Sequence, residues 1–238
     1  MVKEKITFVI ATRETKSNFF KNTMAGKTFD NLNILNNNHI KLKLFDNNKL
    51  GLSEIYNITI NQLKNNPTIL IFMHDDVMIV DKNWEDIILS NLNEYDILGV
   101  VGSIKSSKLQ SSLQWVDINC TQLSDFKNLS GAHGIGNKFP ADRIQKFQKP
   151  QEVKTLDELF LVVRSETLID NDLYFDEQFK FDHVDLDFCR RAEELNIKMG
   201  TIPLNVIHNS VPDYGSDWVF SCKKYFNKWK IPYIYSKD

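Results

Sequence analysis

Hydrophobic and polar positions change period several times along the chain. Ile6–Thr12 is a near-continuous apolar run and reads as a buried strand. Ile40–Phe45 alternates Ile40, Leu42 and Leu44 with lysines, the period of a half-exposed strand. Ser53 can cap a helix reaching about Lys64, whose inner stripe is Tyr56, Ile60 and Leu63. Thr68–Met73 is a second buried strand. A helix with Trp84, Ile88 and Leu92 on one face follows, and then a strand at Ile97–Gly102. Strand and helix in alternation predict an α/β fold: a mostly parallel central sheet with helices on both faces. In such sheets ligands bind at the carboxyl ends of the strands.

Residues 103–155 lose that regularity. They are polar and hold Trp115 and a glycine-rich stretch, Gly131–Gly136. No apolar strand leads into those glycines and no helical pattern follows, so the segment reads as an irregular loop or lid rather than a phosphate loop. Regular patterning returns with Glu158–Arg164 as a strand and a short helix capped by Ser165. A helix over about Val184–Asn196 carries Phe188, Ala192 and Leu195 as its stripe. Short strands around Lys198–Ile202 and Asn205–His208 complete the core. The expected organisation is a domain over 1–210, with a nucleotide half at 1–102, the lid at 103–155 and an acceptor half at 156–210. A helical tail over 211–238 follows.

Composition narrows the function. The chain has 238 residues, 25% charged and 42% hydrophobic, with a net charge of −2. That balance excludes a disordered chain and a strongly basic nucleic-acid binder. No apolar run approaches the roughly 20 residues of a membrane-spanning helix. The start of the chain has no signal-peptide pattern. Three cysteines, Cys120, Cys189 and Cys222, lack paired or metal-ligand spacing. A cytoplasmic protein of a reducing compartment is expected.

Three places could carry chemistry. His74-Asp75-Asp76 ends the strand at Ile69–Met73. Two carboxylates there cost stability unless a turn, a helix cap or a divalent cation takes up the charge. Asp182-His183-Val184-Asp185-Leu186-Asp187 opens a helix, where acids suit the dipole. Asp187 and Arg191 are spaced to pair along the helix surface. Asp185 and His183 are then left without a partner, and a carboxylate at that place can act as a general base. His208 closes a short apolar strand, a position where a histidine is more often structural than a ligand.

In order, Tyr56-Asn57, Ile71–Val77, Leu159–Arg164 with Phe175-Asp176, Asp185–Arg191 and Val206–His208 resemble the landmarks of family 2-type glycosyltransferases with the GT-A fold. The match is nearest to a bacterial glycosyltransferase-like branch whose metal motif reads His-Asp-Asp, and it covers about residues 5–210. The resemblance implies a GT-A-like three-layer sandwich and sugar transfer to a hydroxyl acceptor, a glycan or lipid-linked glycan, with inversion. It implies that Asp76 and His208 hold Mn²⁺ or Mg²⁺, and that Asp185 is the base. The donor is a nucleoside-diphosphate sugar, UDP-type favoured, held by Thr12, Arg13, Glu14, Asp46, Asn47, Asn57, His74 and Asp75. Asp157, Glu158 and His183 fall on the acceptor side. His74 stands where the family commonly has an acid, and Val184 stands where it has Glu. The competing readings are a nucleotidyltransferase, a metal-dependent hydrolase and a non-catalytic sugar-nucleotide-binding module. Residues 223–230 mix lysines with Tyr225, Phe226 and Trp229. A terminal helix packing those aromatics onto the domain is preferred there over contact with an anionic membrane.

Overall fold

The computed structural model describes residues 3–105, 110–210 and 213–231; positions 211–212 and 232–238 of the expected tail, and 106–109 of the expected lid, lie outside them. The chain runs β1 (Ile6–Ala11), α1 (Lys16–Asn22), α2 (Met24–Asn31), β2 (Ile40–Phe45), α3 (Leu52–Gln62), β3 (Ile69–Met73), β4 (Val77–Ile79), α4 (Trp84–Asn91), β5 (Ile97–Gly99) and β6 (Val101–Ser103). It continues through β7 (Leu129–Ile135), β8 (Arg143–Lys146), β9 (Glu152–Val153), β10 (Thr155–Leu156), β11 (Phe160–Arg164), α5 (Ser165–Asp170), α6 (Val184–Glu194), β12 (Met199–Thr201), β13 (Val206–His208) and α7 (Ser216–Lys228).

The main sheet is ordered β2-β1-β3-β11-β5-β12-β9. Its pairings are parallel for β2-β1-β3 and for β5-β12, and antiparallel on both sides of β11 and at β9. Every residue of β3 is buried, and its side chains divide between two cores. Leu70 and Phe72 join Ile55, Tyr56, Phe188, Trp218 and Tyr225 on one face. Ile69, Ile71 and Met73 join Phe19, Phe29, Trp84 and Ile88 on the other. Strands buried on both faces read as unbroken apolar runs, which is why β1 and β3 are so plain in the sequence.

Several local expectations change. The strand expected at Ile97–Gly102 breaks at Val100, and its second half, β6, leaves for another sheet. That second sheet is ordered β10-β6-β7-β13-β4, with β8 paired to β7. Part of the expected lid is therefore strand, the rest being irregular or outside the described residues, and the glycine-rich stretch falls in β7 up to Ile135. Gly131 has φ +91°, and a Cβ there would lie 1.9 Å from the Val100 carbonyl oxygen, so the glycine permits a close backbone approach. β13 belongs to this sheet and not to the main one, while its Val206 packs into the core that holds Ile71 and Trp84.

Helix α3 is capped by Gly51, whose N–H donates to Glu54 Oε2 at 2.8 Å. Ser53, expected as the cap, is buried and donates to the Phe179 carbonyl. Ser165 likewise lies inside its helix and accepts from the Thr68 amide. Leu195 is exposed, so the stripe of α6 ends at Ala192. Helices α1 and α2 escape a periodicity search because each is short. Thr15 and Thr23 cap them by accepting from the Asn18 and Gly26 amides.

Candidate active site

Parallel pairing of β1 with β3 brings the residues after both strands to one edge. Thr12 Oγ1 donates to Asp75 Oδ2 at 2.6 Å there. The backbone of the His74–Asp76 turn is held from three sides. The His74 amide donates to the Leu159 carbonyl, the Asp75 carbonyl accepts from Ala25 near the start of α2, and the Asp76 carbonyl accepts from Asn209. β11 enters the main sheet from the site end, which sets Asp157 and Glu158 beside that turn. β13 pairs His208 with Val77, so the imidazole arrives next to Asp76.

These strands frame a cleft of about 750 Å³ whose wall includes Thr12, Arg13, Glu14, His74, Asp75, Asp76 and Glu158. At its head His208 Nε2 lies 3.3 Å from Asp76 Oδ1, and His74 Nδ1 lies 4.0 Å from the same oxygen. One ligand atom from each of the three residues falls within 4.8 Å of the others. His208 Nε2, Asp76 Oδ1 and His74 Nε2 are buried and have no hydrogen-bond partner among the described residues. Buried polar atoms are normally satisfied, so the unpaired Asp76 Oδ1 and His208 Nε2 fit a shared cation; His74 turns Nδ1 toward Asp76, while its unpaired Nε2 lies 3.9 Å from Glu158 Oε1. Two imidazoles with a carboxylate can hold a divalent transition ion.

Charge is pushed about in this cluster. The Asp76 carboxylate beside His208 holds that imidazole above its ordinary value, against burial. Burial holds His74 and His133 below theirs. Asp75 is raised, mainly by burial. Glu158 is raised well above the carboxylate range by burial, then by the charges of Asp185, Asp157 and Asp182. Asp185 is pushed up to about 7, first by burial and then by Asp157.

Other expected site residues stand elsewhere. Asn57 is buried in a structural clamp: its Nδ2 donates to the Phe175 carbonyl at 2.8 Å, and its Oδ1 accepts from the Phe175 amide at 3.0 Å. Asp46 accepts from the Lys16 amide, and Asn47 sits in a left-handed turn; the neighbouring Asn48 reaches the cleft wall instead. His183 is packed between Trp218 and Tyr225, with Nδ1 3.0 Å from Ser221 Oγ, and burial holds it down at about 4. Asp185 is outside the cleft wall and accepts from the Leu186 amide. Asp187 does not pair with Arg191. It meets Lys228 and Trp229 on α7 and its C-terminal cap, while Arg191 donates to the Tyr174 carbonyl.

Sequence reasoning missed Asn209, Ser210 and Asp213 in the wall, and named Asp182 only as part of the acidic start of a helix. Asn209 and Ser210 directly follow His208, which was the available signal. It also missed His133, whose ring is 6.1 Å from that of His208 and whose Nδ1 is buried without a partner.

The two-sheet α/β architecture, with an acidic, histidine-bearing cleft at the strand ends, is of the GT-A type. The chain belongs to the glycosyltransferase-like family, whose model matches residues 11–232. GalNAc-T7, solved with UDP, GalNAc and Mn²⁺, is similar in fold, with a TM-score of 0.52 and 9% identity over 95% of this chain and 49% of that one. A197 from STIV aligns with a TM-score of 0.49 and 12% identity over 88% and 87% of the two chains. S. aureus TarS 1–349 in complex with UDP-GlcNAc gives 0.47 and 15% over 89% and 61%. The chain thus spans about half the length of the GalNAc-T7 chain. No curated protein sequence matches it. No helix among the described residues is long and apolar enough to cross a membrane.

Proposed function

We propose that this enzyme transfers a sugar from a nucleoside-diphosphate sugar, UDP-type, to a hydroxyl of a glycan or lipid-linked glycan, with inversion. The observation that carries the reading is the convergence of Asp76, His208 and His74, of which Asp76 and His74 line the cleft, with Asp76 Oδ1 and His208 Nε2 buried and unpaired among the described residues. Asp76 and His208, joined by His74, would hold Mn²⁺ or Mg²⁺. When bound, the ion supplies Lewis-acid stabilisation of the leaving diphosphate.

The chain's own residues do the rest. Thr12 fixes the Asp75 carboxylate through its hydroxyl. Arg13 and Glu14 line the cleft where the nucleotide would lie. Asp185 takes the acceptor proton; a base with a pKa near 7 is matched to neutral pH. The Asp157 charge acts on His74 and His208 as well as on Asp185, and Glu158 is its neighbour in sequence. Both acids are assigned to the acceptor side.

Release of UDP from UDP-sugars, followed with Mn²⁺ and after chelation, tests the reading. UDP release that depends on the ion is expected. Formation of UTP and sugar 1-phosphate on addition of pyrophosphate would mark a nucleotidyltransferase, and binding without any turnover would mark a non-catalytic module.

A further inference from the structure

The β7–β8 hairpin is set apart from the rest of the surface by its chemistry. Residues 137–149 carry Lys138, Arg143, Lys146 and Lys149 against a single acid, Asp142, in a chain whose net charge is −2. All four cations are exposed, and none has an ion-pair partner among the described residues. Between them stand two of the most exposed large apolar side chains of the molecule, Phe139 at 67% and Ile144 at 71%. Phe126, 52% exposed, stacks on Phe147 just beyond β8, with ring centroids 6.1 Å apart.

Leaving such side chains in water is unfavourable, and apolar tips ringed by cations match an interface that is hydrocarbon below and anionic at its surface. The outer edge of β8 is unpaired among the described residues. Its cations disfavour addition of another strand, which argues against a protein partner joining by strand pairing. The hairpin is also tied to the site: the Gly136 amide donates to the carbonyl of His208 at 3.3 Å.

The geometry points to this hairpin as a peripheral docking surface for anionic lipid, with Phe139 and Ile144 entering the headgroup layer and Arg143, Lys146 and their neighbours meeting the lipid charge. The C-terminal segment 223–230 does not fill that role. Tyr225 and Phe226 are buried, and the Trp229 indole is committed to Asp187. Docking by the hairpin would hold the cleft at the bilayer surface. The inference stands on the surface itself and does not need the donor reading.

Sedimentation of the full chain with phosphatidylcholine vesicles, with and without phosphatidylglycerol, is the test. Binding only to the anionic vesicles, falling with salt, is expected. Arg143→Gln with Lys146→Gln should lower partitioning roughly 25-fold, at about fivefold for each cation removed. Phe139→Ser with Ile144→Ser should lower it at least about tenfold. Both double variants should keep the wild-type melting temperature and UDP release in solution, so a failed donor reading would show independently of lipid binding. No binding above the phosphatidylcholine control overturns the inference, as does binding unchanged in both variants. Binding lost only in the charge variant overturns it too, because a soluble polyanion would then be the partner. A lipid-free dimer that either variant dissolves would instead assign the surface to a second copy of the chain.

Discussion

Lys228 Nζ donates to Asp187 Oδ2 at 2.8 Å, joining α7 to the helix that carries Asp185. The Asp187 side chain is 1% exposed, and its other oxygen accepts from Trp229 Nε1 at 2.8 Å. Burial lifts its carboxyl above the usual value even with Lys228 alongside. Asp187→Ala leaves the Trp229 indole N–H and Lys228 without this acceptor. The expected loss of stability is about 2–4 kcal/mol, read by urea denaturation. A loss below about 0.5 kcal/mol, the scale of an exposed helix pair, would contradict this role.

Asp185 makes a prediction about pH. It is surrounded by Asp157, Asp182 and Glu158, and its pKa stands at about 7. The unfolded carboxyl titrates near ~3.9. Between those values the unfolded chain has lost this proton while the folded chain keeps it. Its contribution to stability is therefore complete below the unfolded pKa and falls as pH rises, by at most about 1.4 kcal/mol per unit, until the folded pKa. Asp185→Asn should be more stable than wild type at pH 8 and no more stable at pH 3.5, by thermal melts at both values. The same base should make kcat/KM rise with pH through about 7 in wild type. Transfer should fall roughly 10²–10⁴-fold in the variant. Should Asp157→Asn abolish transfer while Asp185→Asn retains it, the base is Asp157.

Gly131 is the tightest point between the two sheets. Its positive φ and the 1.9 Å approach of a built Cβ to the Val100 oxygen leave no room for a side chain. Gly131→Ala should cost about 2 kcal/mol or more, seen as a lower melting temperature. An unchanged melt would mean that β6 and β7 separate easily here.

The legible parts of the sequence were those where one physical cause sets the pattern. β1 and β3 are buried on both faces, so they read as apolar runs, and His74-Asp75-Asp76 was conspicuous as charge at the end of such a run. The second sheet was illegible because its members are short and its longest strand, β7, is rich in glycine and broken by His133. Asn57 and Asp187 were misread for another reason. Their partners, Phe175 and Lys228, lie 118 and 41 residues away, and no local spacing reports them. His183 failed likewise, since the rings that enclose it come from α7.

A cation site formed by Asp76, His208 and His74 beside a nucleotide cleft makes UDP binding depend on the ion. Calorimetry of UDP binding with and without Mn²⁺, on wild type and Asp76→Ala, tests it most directly. Mn²⁺ should tighten UDP binding at least about tenfold in wild type; Asp76→Ala should abolish the gain with the fold intact by circular dichroism, and His208→Ala should reduce it less, because a carboxylate still holds the ion. Mn²⁺-enhanced UDP binding that survives unchanged in Asp76→Ala would contradict a cation site at Asp76.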